Sequence, residues 1–417
     1  MPPPQATFTI EEEYIEDEDY LPASERDRPL KHRSYILDWD QRRWFIVTGP
    51  ISLFSEDPEE PINTLKHYIK DLSASVNALL VDNGGLLLGL SSETQTQYIH
   101  DVNYPRSELL TSFKNVPTIR LSELTEETRL KPGVDAMTQT KNPETKLVFK
   151  YVLASSQEHL MWKEMNILNS IPQHPNILPI HSLVLEDYEL RVLGFATRYI
   201  PGGDMWQNRM PFKMKWLKQL TDVVDYLNLE LGIVHGDVFA KNLLVDPETD
   251  NLLLIDFGRA QVLNSKNSEI DPLRDVPLVI LTVYEILTLD QDVRDERRND
   301  LESLLDIKKW PIEREVTCTE AAIKQYLRNW VRLRKLHQEK GGRPPRQIEE
   351  ISWGPPTDPM EGDPKKEEED ESSGNSCTGS ITPKTRRHWD STCWRRPPQG
   401  ETYLESKKRK ISHEDCD

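Results

Sequence analysis

Four polar side chains in residues 233–258 are of types that could hold a metal ion next to a reacting hydroxyl group. This segment contains two apolar runs separated by a polar turn, which is the pattern of a β-hairpin. His235, Asp237 and Asn242 stand before or at the start of the first run, and Asp256 follows the second. Closing the hairpin brings Asp237, Asn242 and Asp256 close together. Because Mg²⁺ prefers oxygen ligands, this set predicts a magnesium site beside a reacting hydroxyl group.

The residue types and spacing of these motifs indicate a family. The strands are predicted over residues 242–245 and 252–255, and a purely structural hairpin whose acidic residues cap turns is the alternative. However, residues 235–242 spell H-G-D-V-F-A-K-N, and residues 256–258 spell D-F-G. Both motifs, at this spacing, resemble the catalytic core of the eukaryotic protein kinase family. The resemblance implies an α+β, two-lobed protein kinase-like fold that uses ATP and Mg²⁺.

A lysine and a glutamate upstream resemble the ion pair of the kinase small lobe. Lys150 interrupts an apolar strand over residues 147–152, although a solvated lysine on a strand face is the alternative. Ser155 and Glu158 predict a capping box that starts a helix running to about residue 170. Glu164 falls on the apolar side of that helix, where a carboxylate needs a partner. Lys150 is the predicted partner.

The nucleotide lid and hinge match the family less closely. Kinases carry a glycine-rich loop over the phosphates, whereas the stretch L-K-P-G-V-D offers only Gly133. Further on, Thr197 corresponds to the gatekeeper, and the backbone around Tyr199 corresponds to the segment that pairs with adenine. Asp204 stands where the family often has an acidic ribose contact, and a helix N-cap explains it equally well.

The large lobe departs from the family after D-F-G. Residues 259–274 are short and contain no A-P-E, the motif that ends the kinase activation segment. Residues 275–287 resemble the buried αF helix, with Asp275 in the position that anchors the catalytic loop. Further helices are predicted over 212–230, about 296–308 and 318–338. The sequence as a whole resembles a set of fungal kinase-like proteins with shortened large lobes.

The resemblance assigns a role to each motif residue. Asp237 would orient the acceptor hydroxyl and accept its proton. Asp256 would hold Mg²⁺ between the β- and γ-phosphates, and Asn242 would hold a second Mg²⁺. Lys150, braced by Glu164, would hold the α- and β-phosphates.

Two loop positions depart from the usual kinase residues. Gly236 replaces the arginine that pairs with a phosphorylated activation loop, which predicts activity independent of that phosphorylation. Phe239 stands where serine/threonine kinases place a lysine near the γ-phosphate. Lys241 is therefore the predicted catalytic cation, and a solvated loop lysine is the alternative.

Composition limits the domain organisation. The 417 residues contain 36% hydrophobic residues and 30 prolines, which predicts a sizeable core together with segments that do not fold. We predict a disordered acidic arm over 1–33, an accessory subdomain over 34–112 and a disordered tail over 341–417. The kinase-like domain is predicted over 113–340, with its small lobe at 113–200 and its large lobe at 201–340. In the accessory subdomain we expect strands at 35–37, 44–47 and 85–90 and a helix over 62–80.

Charge and cysteine usage exclude several classes of protein. The net charge of −18 argues against nucleic-acid or membrane partners, and the four cysteines form no CxxC pair. We therefore expect a soluble intracellular protein, cytoplasmic or nuclear, whose basic cluster at 407–410 is a candidate nuclear import signal.

The predicted function is transfer of the γ-phosphate of ATP to a protein hydroxyl, of the serine/threonine type, with an unknown substrate. One alternative is a pseudokinase that binds ATP or serves as a scaffold. The other is a small-molecule kinase of the aminoglycoside or choline type, in which H-G-D is also followed by Asn.

Overall fold

The accessory region is built on a five-stranded sheet. The structure is a computed structural model that describes residues 8–15, 31–54, 57, 59–73, 76–92, 102, 104–263, 271–296 and 301–340. The strands of this sheet are β1 (Phe8–Ile15), β2 (Lys31–Asp38), β3 (Arg43–Pro50), β4 (Ala78–Val81) and β5 (Leu87–Ser91). They lie in that order, and all neighbours are antiparallel except β3 and β4. The parallel connection passes through α1 (Ile51–Phe54) and α2 (Glu60–Tyr68), which pack on the apolar face of the sheet.

Two expectations for this region were wrong. The predicted disordered arm contains β1, which pairs with β2 along its length because its alternating residues Phe8 and Ile10 pack on the sheet core. The predicted helix within 62–80 ends at Tyr68, and Ala78–Val81 form a strand instead. Four consecutive apolar residues fit a helix or a buried strand equally well, and pairing with β3 decides between them.

The small lobe is a six-stranded sheet covered by one long helix. Its strands are β6 (Thr118–Arg120), β7 (Leu124–Lys131), β8 (Val134–Gln139), β9 (Asn142–Tyr151), β10 (Ser182–Leu185) and β11 (Val192–Arg198). They lie in the order β6-β10-β11-β9-β8-β7.

The long helix of the small lobe, α3 (Ser155–Ser170), confirms the predicted range. The N-cap is Ala154, one residue before the predicted Ser155, which is the first helical residue. Glu164 is buried as expected, whereas Leu160, predicted on the same inward side, is 37% exposed.

The accessory sheet and the small lobe share buried side chains. Trp39 packs against Tyr151 within the same apolar core. Arg42 donates to the Asp135 carboxylate at 2.9 Å, and both side chains are buried. The Trp44 indole donates to the carbonyl of Leu153 at 3.1 Å. The sheet therefore packs directly on the strands that carry the candidate site.

The large lobe is mainly helical. Its helices are α4 (Met214–Asp225), α5 (Asp275–Thr288), α6 (Val293–Glu296) and α7 (Glu320–Glu339). Its short strands are β12 (Ile233–Val234), β13 (Leu243–Asp246), β14 (Asn251–Leu254) and β15 (Gln261–Val262), which form the pairs β12-β15 and β13-β14.

Two of the three further predicted large-lobe helices are confirmed in outline. The helix predicted over 212–230 corresponds to α4 and the π-helical turn Tyr226–Leu231, and the one over 318–338 corresponds to α7. The helix predicted over about 296–308 was wrong, because that region contains the end of α6 and the 3₁₀ turn Glu302–Asp306.

Several expectations cannot be compared with the fold. Residues 341–417, with the basic cluster at 407–410, lie outside the described residues.

Within the described part of the chain, no helix combines the length and apolarity needed to cross a membrane.

Candidate active site

The predicted hairpin forms with strands β13 and β14, one residue away from the predicted boundaries at each strand. Leu243 pairs with Leu254 at the open end, and Asp246 pairs with Asn251 beside the turn. The Ile255 amide donates to the carbonyl of Asn242 at 3.0 Å, which extends the pairing by one step. This bond ties the residue before β13 to the one before Asp256. The hairpin therefore positions both ends of the site as the sequence predicted.

Asp237 and Asn242 form one half of the site. The Asn242 amide nitrogen donates to the main-chain carbonyl of Asp237 and to its Oδ2, both at 2.9 Å. These bonds fix the Asp237 carboxylate against the loop. Because the amide nitrogen faces Asp237, the amide oxygen of Asn242 faces away from it and is available as an oxygen ligand.

Lys150, Glu164 and Asp256 form the other half. The Lys150 ammonium is hydrogen-bonded to the Glu164 carboxylate and lies 2.8 Å from Asp256 Oδ1. Glu164 is 3% exposed, and its other oxygen accepts the Phe257 amide at 3.3 Å. The predicted lysine–glutamate pair is thus present and is joined to the D-F-G segment by an ion pair and a main-chain hydrogen bond.

The opposite charges of this cluster offset the cost of burying them. Burial alone would lower the pKa of Lys150, but the carboxylates of Glu164 and Asp256 outweigh it and hold that pKa above its ordinary value. Burial acts to raise the pKa of Asp256, yet the ammonium groups of Lys150 and Lys131 hold it well below its usual range. For Glu164, burial prevails over Lys150 and raises the pKa. Lys150 and Asp256 therefore remain charged at neutral pH.

Lys131 is a site residue that sequence reasoning missed. Its ammonium lies 3.1 Å from Asp256 Oδ2, although 125 positions separate the two residues. Lys131 is the last residue of β7, and the short Pro132–Gly133 turn joins it to β8. A lysine at the lid position was visible in the sequence, but nothing local indicated that it would reach the D-F-G aspartate.

Asp275 fixes the main chain of the catalytic loop. Its carboxylate is fully buried and accepts the His235 amide at 2.7 Å and the Gly236 amide at 2.8 Å. It also accepts the Asn228 side-chain amide at 2.8 Å. Thr282, two turns along α5, donates to the carbonyl of Val238 at 2.8 Å. The predicted anchoring role of Asp275 is confirmed.

His235 and Gly236 have structural roles. The His235 ring is buried, packs edge-on against Phe257 at 4.8 Å, and lies 3.3 Å from the carbonyl of Ile255. Burial lowers its pKa, so the ring is neutral at physiological pH. Gly236 has φ +74°, and a Cβ there would lie 2.9 Å from the carbonyl oxygen of Arg259. An arginine, the usual kinase residue, would therefore strain this loop.

The lid and hinge residues lie around this cluster. Gly133 has φ +71°, and its carbonyl accepts the Tyr151 amide at 2.8 Å. Thr197 lies in β11 opposite Val148, and the Tyr199 amide donates to the carbonyl of Lys146 at 3.1 Å. The Tyr199 amide is thus used within the small lobe.

Asp204 caps a turn. Its Oδ1 accepts the amides of Trp206 and Gln207 at 2.8 and 2.9 Å, and burial raises its pKa. This geometry favours the capping interpretation for one oxygen of the side chain.

Lys241 lies beside the ring of Phe239. It is exposed, and its ammonium is 5.5 Å from the centroid of the Phe239 ring. The guanidinium of Arg294 lies 4.2 Å from the same ring and forms a two-bond ion pair with the buried Glu285. Phe239 is therefore flanked by two cations, a contact that its aromatic face favours.

The donor set fits Mg²⁺ bound to a nucleotide. Asp237, Asn242 and Asp256 supply carboxylate and amide oxygens, and Lys131 and Lys150 supply ammonium groups for phosphates. The described residues contain no group of three or more His, Cys, Asp and Glu side chains suited to a metal ion. Mg²⁺ is typically bound by one or two carboxylates together with substrate phosphates, and this set of carboxylate and amide oxygens is of that kind.

Comparison with known proteins agrees with this geometry. The protein kinase domain family matches residues 136–278. The chain is 30% identical over 113 residues to serine/threonine-protein kinase CHK1 of Saccharomyces cerevisiae, which covers 25% of this chain and 20% of that protein. It is 28% identical over 105 residues to casein kinase II subunit alpha' of the same yeast, covering 24% of this chain and 30% of the relative. It is 31% identical over 114 residues to glycogen synthase kinase 1 of Pyricularia oryzae, covering 24% and 28%. The similarity thus spans less than a third of each relative.

Proposed function

We propose that this chain, which belongs to the eukaryotic protein kinase-like family, transfers the γ-phosphate of ATP to a protein hydroxyl in a Mg²⁺-dependent reaction. The observation that carries the proposal is the contact of Lys150 with both Glu164 and Asp256, next to the Asp237–Asn242 pair. Phosphoryl transfer needs positioned charges rather than covalent catalysis, and these two clusters supply them.

Each residue has a distinct role in this proposal. Asp237, held by Asn242, orients the acceptor hydroxyl and accepts its proton. Asp256 and the Asn242 amide oxygen bind the metal ion, and Lys150, braced by Glu164, binds the α- and β-phosphates. Mg²⁺ supplies charge neutralisation on the phosphates when it is bound. Asp275 holds the main chain on which Asp237 is placed.

Serine or threonine is the proposed acceptor because of the names of the relatives. One of them is named a serine/threonine-protein kinase, and the other two are casein kinase II and glycogen synthase kinase proteins. The hinge role of Thr197 and Tyr199, the ribose role of Asp204 and the catalytic role of Lys241 remain part of the proposal.

A pseudokinase is the second candidate, and one observation favours it. Both oxygens of the Asp256 carboxylate contact lysines, and the lid turn contains a single glycine. A protein that keeps this cluster closed would have the fold without useful turnover.

Nucleotide binding and phosphate transfer test the proposal separately. The melting temperature of the parent protein should rise with ATP, and more so with Mg²⁺, because a ligand that binds only the folded state stabilises it. Asp256→Asn should remove most of the Mg²⁺-dependent rise, and Lys150→Met should weaken binding. Lys146→Met is the matched control, since Lys146 lies on the same strand and its half-exposed side chain pairs with Glu127.

The transfer assay distinguishes the two candidates. Radiolabelled ATP should label a generic protein or peptide acceptor, and Asp237→Asn should abolish that labelling without changing nucleotide binding. If ATP stabilises the protein but no acceptor is labelled, the pseudokinase is favoured. If Asp256→Asn and Lys150→Met bind Mg·ATP like the parent, the site assignment is wrong.

A further inference from the structure

Two ammonium groups contact different oxygens of one carboxylate. Lys150 lies 2.8 Å from Asp256 Oδ1, and Lys131 lies 3.1 Å from Asp256 Oδ2. Lys150 comes from the middle of the sheet, in β9, whereas Lys131 comes from the edge strand β7. The proposed metal-binding carboxylate is thus approached by a core lysine and by a lid lysine.

The main chain of the lid is fixed at its turn, so only the Lys131 side chain can extend from the lid toward a nucleotide. Gly133 accepts the Tyr151 amide, and a Cβ at Gly133 would lie only 2.5 Å from the Tyr151 carbonyl oxygen. Lys131 itself is paired with Val134 across the turn. A main chain held in this way cannot wrap around phosphates as a glycine-rich loop does. A long flexible ammonium side chain can still reach them.

Burial decides which lysine can move. The Lys150 side chain is 24% exposed and is bound to Glu164, whose side chain is 4% exposed. The Lys131 side chain is 50% exposed and forms an ion pair with Asp256. A divalent cation at Asp256 would bring a third positive group to one carboxylate, which favours the departure of Lys131. The anion that arrives with that cation is the triphosphate.

We propose that Lys131 is a nucleotide-specificity residue that leaves Asp256 and binds the terminal phosphate of ATP. This inference rests on the proposed function. Since Lys150 is assigned to the α- and β-phosphates, the lysine on the other oxygen of Asp256 is assigned to the terminal phosphate. The contact selects ATP over ADP and supplies charge that the single-glycine turn lacks.

Binding of ATP and ADP to variants tests the assignment. Isothermal titration calorimetry with Mg²⁺ should show that Lys131→Ala weakens ATP binding about 10-fold or more, the value of one charge-assisted hydrogen bond. Binding of ADP should change by less than about 3-fold, because ADP lacks the terminal phosphate. Lys131→Arg should retain most of the preference. Lys141→Ala is the matched control, because Lys141 lies in the next hairpin turn, is 86% exposed and pairs with Glu123.

Metal binding provides a second measurement. If Lys131 competes with a metal ion for Asp256, nucleotide-free Lys131→Ala should bind Mn²⁺ more tightly than the parent does, as followed by water-proton relaxation. An equal loss of ATP and ADP affinity, or a loss no greater than that of Lys141→Ala, would overturn the assignment. If the parent and Lys150→Met bind ATP alike, the proposed function fails and this inference fails with it. If only Lys131→Ala is without effect, the proposed function stands and this inference alone is wrong.

Discussion

Replacing Asp275 by alanine removes the acceptor that holds the catalytic loop. The carboxylate is fully buried and accepts three hydrogen bonds, from the main-chain amides of His235 and Gly236 and from the Asn228 side chain. Alanine accepts none of them. Three N–H groups would then lose this acceptor, although the Asn228 amide nitrogen keeps its other hydrogen bond, to the carbonyl of Ile233.

The expected cost follows from the number of donors. Each buried N–H group left without an acceptor costs about 1–3 kcal/mol, so the loss of three should lower the free energy of unfolding of Asp275→Ala by about 3–9 kcal/mol. Asp275→Asn keeps one acceptor oxygen and should cost less than alanine. Because Asp237 follows this anchored segment, both variants should also lose phosphate transfer more than their stability alone explains.

Thermal and urea unfolding measure the effect. Asp275→Ala should lower the melting temperature by at least about 6 °C. Asp222→Ala is the matched control, since Asp222 is an exposed helical aspartate in α4, and its free energy of unfolding should change by less than about 0.5 kcal/mol. If Asp275→Ala costs less than about 1 kcal/mol, the three donors are satisfied in another way and the anchoring argument is refuted.

Three further outcomes are expected. Gly133→Ala should destabilise the fold by about 1–3 kcal/mol, because Gly133 has φ +71° and a Cβ there would meet the Tyr151 carbonyl. Gly85→Ala is the control and should cost less, because Gly85 has a similar φ of +76° but lies in open space. Equal changes in melting temperature would contradict this prediction. Burial raises the pKa of Asp38 from 3.8 to about 6, so stability should fall by up to about 3 kcal/mol as pH rises from 4 to 7. Asp38→Asn should flatten this fall in urea titrations, and an unchanged pH profile would refute the assignment. Lys241→Ala should slow phosphate transfer while Mg·ATP affinity stays unchanged, and an unaltered rate would make Lys241 a solvated loop lysine.

The local sequence pattern was sufficient to predict those elements that are formed by residues close together in the sequence. The hairpin β13–β14 follows from apolar runs around a polar turn, and α3 follows from apolar spacing that places Glu164 inside. The Lys150–Glu164 pair was predictable because a buried carboxylate requires a cation, and they are only 14 positions apart.

Composition gave wrong predictions for strands whose pairing partners are distant in the sequence. The acidic segment of β1 has the composition of a disordered arm, and its strand exists because β2 offers a paired edge. The short apolar run of β4 was assigned to a helix for the same reason, since its partner β3 is separated from it by two helices.

The sequence by itself predicted the resemblance to the protein kinase family, the two-lobed fold and the motif residues, because these predictions depend on residue types at fixed short spacings. Only the tertiary structure decided that Lys131 contacts Asp256, that Arg42 links the accessory sheet to Asp135, and that Lys241 lies over Phe239. The physical reason is that long charged side chains are placed by the packing of distant strands. The spacing of such residues along the chain does not predict which groups their ammonium or guanidinium ends will contact.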